Sequence, residues 1–293
     1  MLYDSLRKEL SKLRAGLATI NGATGATTKD VIERYRNDPS LLMQDAGLQP
    51  DPWQAEFLRS KELLNLILCS RQAGKTTCCA VLALTEAMTV ADATVVVIAP
   101  IEPQASEFIR KAMTIYNRIG RPMVLKREAV NTIEFINNSR IIALPGKERS
   151  VHSYTASLLF IDEAARVPDA VYNAASPQLS VSKGRLVALS TAFAKSGWFH
   201  SEWESGEGYK RWSITAKECP RHSQRFLDGE RRRMGERYYG MAYMNTFYED
   251  LSAVFHVDDV KASSQNDLQP YFIQGLGRTP GEAEVVPYFA KGA

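Results

Sequence analysis

Apolar residues change their spacing along the chain, and the changes divide it. Leu6, Leu10, Leu13 and Leu17 recur every three or four residues and so lie along one stripe of a helix, which a break with two glycines follows at 21–28. That stripe reads as packing on the chain's own core, with docking to a partner as the alternative. From residue 63 short apolar runs take over, at 63–69, 94–99, 140–144, 157–161, 185–190 and 211–215, with helix-like stretches between them. Runs that are apolar throughout are strands covered on both faces, so the fold class predicted is α/β, a largely parallel central sheet flanked by helices. Residues 132–136 and 140–144, joined by Asn137, Asn138 and Ser139, predict a hairpin and therefore a mixed edge to that sheet. Residues 223–250 are helical in character, and 268–293 form a tail rich in Gly and Pro. The expected order is an N-terminal helical appendage over 1–48, a sheet core over 49–215, a small helical subdomain and linker over 216–262, and a tail over 263–293.

Composition narrows this picture only a little. Of 293 residues, 45% are hydrophobic and 24% charged, which suits a packed domain rather than a disordered chain. The net charge is +3, so any surface for phosphates has to be a local patch. Cys69, Cys78, Cys79 and Cys219 lack metal-ligand spacing and fit reduced thiols. The first twenty residues carry Arg7, Lys8, Lys12 and Arg14, unlike a signal or spanning segment, and no other apolar run nears ~18 residues. A soluble, intracellular protein with no membrane partner is the expectation.

The chemistry concentrates at the ends of three predicted strands. Cys69-Ser70-Arg71-Gln72-Ala73-Gly74-Lys75-Thr76-Thr77 follows the first apolar strand and opens a helical stretch at 77–88. That is the setting of a phosphate loop, in which backbone N–H groups and a helix N-terminus surround phosphates, a Lys neutralises the β/γ oxygens and a Thr hydroxyl ligates Mg²⁺. Gly74, Lys75 and Thr76 fit those roles, although Cys69 stands where the strict pattern has Gly. The tripeptide alone arises by composition in on the order of one chain in ten of this length, and the strand and helix around it are what make it specific. Leu158-Leu159-Phe160-Ile161-Asp162-Glu163 delivers two carboxylates from a buried strand. Asp162 is expected to hold Mg²⁺ and Glu163 to orient the attacking water; the plainer reading is a strand leading into a helix N-terminus, where acids are favoured for dipole reasons. The strand at 185–189 ends in Ser190-Thr191-Ala192, hydroxyls able to sense a γ-phosphate or simply to cap the strand. Upstream, Gln54 of Asp51-Pro52-Trp53-Gln54 has an amide that can read both donor and acceptor of an adenine edge. Arg221, Arg225, Arg231, Arg232, Arg233 and Arg237 are either a phosphate-facing patch or, with Glu230 and Glu236 among them, a solvated helix face with local ion pairs.

In this order the motifs resemble the phage large terminase family over about residues 50–260: an adenine-reading Gln54, a variant Walker A loop at 70–77 with Arg71 inside it, a Walker B strand with Glu163, and a coupling motif at Ser190, Thr191 and Ala192. Pro145-Gly146 and Ala253-Val254-Phe255 are further similarities. Two departures stand beside them: His152-Ser153 replaces the family's usual Arg-Gly pair, and Ala242 and Thr246 replace acids near Tyr243. The resemblance implies a P-loop NTPase fold with ATP and Mg²⁺ as cofactors, and a motor that moves double-stranded DNA into a procapsid. Arg71 then stabilises γ-phosphate charge in the transition state. The partners implied are a portal ring, a small terminase subunit and further copies of the chain, in the cytoplasm of a bacterial host. Asp267, Glu282 and Glu284, the acids beyond Asp259, cannot build a two-metal nuclease, so none is expected. A helicase-like ATPase and a non-hydrolysing remnant that binds nucleotide or portal are the alternatives.

Overall fold

Residues 27–147 and 154–249 are described by the computed structural model. The leucine stripe at 6–17, His152-Ser153, Ala253–Phe255 and the C-terminal tail lie outside the described residues. Within them, eight strands form one sheet: β1 (Leu64–Cys69), β2 (Thr94–Ala99), β3 (Leu125–Ala129), β4 (Thr132–Phe135), β5 (Arg140–Pro145), β6 (Leu158–Asp162), β7 (Arg185–Ser190) and β8 (Lys210–Ile214). Their spatial order is β3-β4-β5-β2-β6-β7-β1-β8. From β5 to β8 every pairing is parallel, while β3–β4 and β4–β5 are antiparallel, which gives the mixed edge that the asparagine-rich turn predicts.

Period-two alternation sorts the strand residues onto two cores. Ile67, Val95, Val97, Phe160, Val187 and Trp212 face one helical layer, whereas Leu66, Leu68, Val96, Ile98, Leu159 and Ala188 face the other. With both faces covered, β2 is buried from end to end, the physical reason its sequence is Thr-Val-Val-Val-Ile-Ala without a polar break. The first layer holds α1 (Thr28–Asn37), α2 (Pro39–Asp45), α3 (Pro52–Arg59), α4 (Lys75–Thr89) and α5 (Glu102–Arg118). Val31, Tyr35, Leu42 and Met43 belong to its core, where α1 and α2 pack on α4. The second layer holds α6 (Asp169–Ala175), α7 (Pro177–Ser182) and α8 (Gly197–Ser205). After β8 comes α9 (Gln224–Tyr243), where Leu227, Ala242 and Tyr243 make a small satellite core.

Two expectations need correction. β3 is a strand that the apolar pattern does not reveal: Leu125-Lys126-Arg127-Glu128-Ala129 is an edge strand, exposed at its three central residues, so it needs no continuous apolar face. The helical segment at 223–250 is shorter and bent, ending at Tyr243 and breaking its helical dihedrals at Gly235 (φ 77°, ψ 163°), a conformation open to Gly at little cost.

Candidate functional site: a phosphate loop facing paired carboxylates

In a parallel sheet, ligands meet the chain at the carboxyl ends of the strands, where the connecting loops and helix N-termini gather. β1, β6 and β7 are neighbours in the order β6-β7-β1, so the loop after β1, the acids after β6 and the hydroxyls after β7 all reach one edge. Between Cys69 and the start of α4, the backbone enters the left-handed region at Gln72 (φ 59°) and Gly74 (φ 83°). The positive φ favours glycine at 74, and a Cβ there would stand 2.6 Å from Gln54 Nε2 and force that amide to shift. No backbone acceptor among the described residues takes the N–H groups of Gly74, Lys75 and Thr76, which leaves the open donors of a helix N-terminus at the mouth of the loop. Ser70 is buried, and its hydroxyl has no partner among the described residues.

Lys75 leaves the first turn of α4 and meets Glu163, with Nζ 2.8 Å from Oε1. Burial works against the ammonium charge, but the Glu163 and Asp162 carboxylates more than offset it and hold the Lys75 pKa above its ordinary value. Asp162 is the last residue of β6, buried, and accepts a hydrogen bond from Glu163 N at 2.9 Å. Burial pushes its carboxyl up to about 6, partly countered by Lys75 and reinforced by Glu163. Glu163 itself is left-handed (φ 49°, ψ 43°), an uncommon conformation for a side-chain-bearing residue, and it opens a 3-10 turn at Ala164–Arg166. Ser190 is buried and accepts from Ala165 N at 3.2 Å, which ties the end of β7 to the turn that carries Glu163. Thr191 and Ala192 are buried beside it.

Gln54 sits beneath the loop rather than in the open. Its Oε1 accepts from Asp51 N at 2.9 Å as part of the α3 capping box, and its Nε2 donates to Ala73 O and Gly74 O at 3.3 and 3.4 Å. Both ends of the amide are thus used by the chain, and contact with a base requires those bonds to be exchanged. The cleft beside it, about 580 Å³, is lined by Gln54, Gln72, Gly74, Lys75, Thr76 and Thr77 among others.

The arm after β8 clasps the loop from outside, a relationship the motifs do not announce. Arg221 grips Asp51 with two bonds of 3.0 and 2.6 Å and also donates to Ala73 O at 2.9 Å. His222 Nε2 donates to Arg71 O at 2.9 Å, Arg71 N donates to Ala242 O at 2.8 Å, and Asn245 Nδ2 donates to Leu68 O at 3.0 Å. The Arg71 side chain is exposed on this side, beside Glu230, whose carboxyl is held below its ordinary value chiefly by Arg233 and in smaller part by Arg71. Of the other α9 arginines, Arg231 pairs with Glu236 and Arg233 with Glu230, the local ion pairs of a solvated helix face. Arg166, three residues past Glu163, reaches Glu163 Oε2 at 3.3 Å and Thr191 Oγ1 at 3.5 Å. Sequence reading passes it over, because a single Arg after an acidic pair has no distinguishing pattern.

A loop bent by glycine, a largely buried lysine and an acid pair at the carboxyl edge of a mostly parallel sheet mark the fold class of the P-loop NTPases. The family match is narrower: a profile described as terminase large subunit, T4likevirus-type, N-terminal, fits residues 66–259, and the chain belongs to that family. Among solved structures, the large terminase ATPase domain of Thermus phage P74-26 superposes with a TM-score of 0.63 at 17% identity, over 70% of this chain and 96% of that one. The large terminase of bacteriophage HK97 gives 0.56 at 16% identity, over 68% of this chain and 51% of that one. A large terminase from a thermophilic bacteriophage, in complex with ATP-gamma-S, gives 0.55 at 14% identity, over 68% of this chain and 53% of that one. At such identities the likeness is one of fold. No curated protein sequence matches the chain.

Proposed function

We propose that this chain hydrolyses ATP with Mg²⁺ and couples hydrolysis to the movement of double-stranded DNA into a procapsid, in concert with a portal ring, a small terminase subunit and further copies of itself. The observation that carries the hydrolytic half is the meeting of Lys75 with Glu163 beneath open loop donors, because it brings a phosphate-binding cation and a candidate base to one point. Family membership supports the packaging half.

The donor set suits the cofactors. Asp162 and Thr76 offer hard oxygen ligands, Asp162 at the end of β6 and Thr76 in the first turn of α4. Bound there, Mg²⁺ would supply charge neutralisation for the phosphates. Lys75 turns from Glu163 to the phosphates, and the open N–H groups of the loop take their oxygens. Glu163, its Oε1 then free, accepts a hydrogen bond from the attacking water and takes its proton as the water oxygen bonds to the γ-phosphorus and the bond to the β-γ bridging oxygen breaks. Ser190 and Thr191, at the end of the strand between loop and acids, register the γ-phosphate in this reading. Arg71 completes the charge stabilisation by moving inward from its exposed position beside α9.

Steady-state ATP turnover, measured alone and with double-stranded DNA and a portal added, tests the proposal. Turnover that needs Mg²⁺ and is stimulated by DNA and portal is the expected result; nucleotide binding without turnover under every condition would leave a binding module in place of a motor.

A further inference from the structure

The Glu163 carboxylate has two cationic partners, one on each oxygen, and only one of them belongs to the phosphate loop. Oε1 takes Lys75 at 2.8 Å and Oε2 takes Arg166 Nη1 at 3.3 Å. Once Lys75 is drawn to phosphate, Arg166 is the remaining cation on Glu163. Its position is fixed from several sides. Arg166 N donates to Glu163 O at 2.8 Å, closing the 3-10 turn, and Ala165 N is held by the Ser190 hydroxyl. The next residue, Val167, gives its carbonyl to the buried Trp198 indole N–H at 3.0 Å. The guanidinium carbon lies over the Phe193 ring, 4.6 Å from its centroid, a cation–π contact that gives the charged group an aromatic platform.

From there the same Nη1 also reaches Thr191 Oγ1 at 3.5 Å. Both polar contacts are long, so the group is poised between two acceptors and neither one saturates it. One of those acceptors is the candidate base and the other the candidate γ-phosphate sensor. A plain surface arginine would fit worse, since neither the aromatic platform nor the shared donor is needed merely to keep a charge in water.

We propose that Arg166 is a positioning residue for hydrolysis: it holds the Glu163 carboxylate in register with the end of β7 after Lys75 has left it for the nucleotide. The proposal rests on the hydrolytic reading above. It assigns no contact with the nucleotide to Arg166 itself, so ground-state binding is expected to be unaffected.

The experiment compares kcat and KM for ATP in the wild type, Arg166→Ala, Arg166→Lys and Phe193→Ala, all as the full chain with Mg²⁺, and repeats Arg166→Ala with guanidinium ion at tens of millimolar. Arg166→Ala is expected to lower kcat by about 10- to 100-fold with KM within about threefold, as loss of an interaction made at the transition state does. Arg166→Lys, with charge but no fork, recovers part of the rate, and Phe193→Ala loses less than Arg166→Ala. Added guanidinium restores part of the turnover of Arg166→Ala and none of that of Glu163→Gln, a response that a merely structural role would not give. Wild-type kcat in Arg166→Ala, a change in KM alone, or a loss with no guanidinium rescue each overturns the assignment. A wild-type chain that shows no turnover removes the hydrolytic reading itself, and is recognised because no variant then differs from it.

Discussion

Lys75 and Glu163 stand 88 positions apart in the chain, and their charged atoms meet at 2.8 Å. In the proposed mechanism these are the two groups on which hydrolysis depends, so the nucleotide has to separate them. Replacing Glu163 by Gln releases Lys75 while removing the base. Glu163→Gln is therefore expected to lower kcat by ~10²–10⁴ with ATP affinity equal or tighter. Lys75→Ala does the reverse and weakens binding itself by at least about tenfold. Calorimetric titration beside turnover separates the two, and equal activity in Glu163→Gln would sink the role given to it.

The clasp of Arg221 on Asp51 predicts a stability effect transmitted to the loop. Asp51 is buried while Arg221 is 44% exposed, so solvent screens the pair from one side only. Removing the guanidinium leaves a buried carboxylate without its main partner and frees Ala73 O. Arg221→Ala is expected to lower stability by about 1–3 kcal/mol and to weaken nucleotide binding in parallel. Urea denaturation read with a fluorescent nucleotide titration checks both, and an unchanged midpoint would show that the clasp contributes nothing to folding.

Gly74 makes a sharper structural claim. Its φ of 83° and the 2.6 Å distance from a built Cβ to Gln54 Nε2 mean that even a methyl group meets backbone strain and displaces a buried amide from its bonds to Ala73 O and Gly74 O. Gly74→Ala is expected to destabilise the chain by about 2–3 kcal/mol, the sum of a left-handed penalty and local overpacking. A thermal midpoint equal to that of wild type would contradict the loop conformation.

Asp162 predicts a pH dependence of the ligand-free chain. Its carboxyl ordinarily titrates near 3.8, and burial raises it to about 6. Between those values the native state holds more protons than the unfolded one, so stability falls as pH rises through the window and the loss is complete above about 6. The size is on the order of 2–3 kcal/mol. In Asp162→Asn the same stretch should be nearly flat, with the variant more stable than wild type at pH 7. Chemical denaturation in a chelator from pH 4 to 7 measures this, and parallel slopes in the two proteins would exclude Asp162 as the titrating group.

Local order alone sets much of this protein. An unbroken apolar run is a strand buried on both faces, and Gly74-Lys75-Thr76 after one run and Asp162-Glu163 after another are chemistry delivered to strand ends; both conclusions need only neighbouring residues and the periods of helix and sheet. Where the signal is absent, as in the charged edge strand β3, the chain satisfies its backbone through a partner strand instead of a core, and no pattern of apolar residues records that. The order β6-β7-β1 was decided by tertiary structure, because sheet order depends on which distant runs pack together and nothing within a run encodes its neighbour. That order brings Thr191, after β7, to Arg166, which the local turn after β6 already holds against Glu163. In the same way, the sequence offers Gln54 as an amide able to read an adenine edge, and only the fold sets it under the loop, its donors and acceptor satisfied by Ala73, Gly74 and Asp51, since a buried amide has to find partners wherever the fold supplies them.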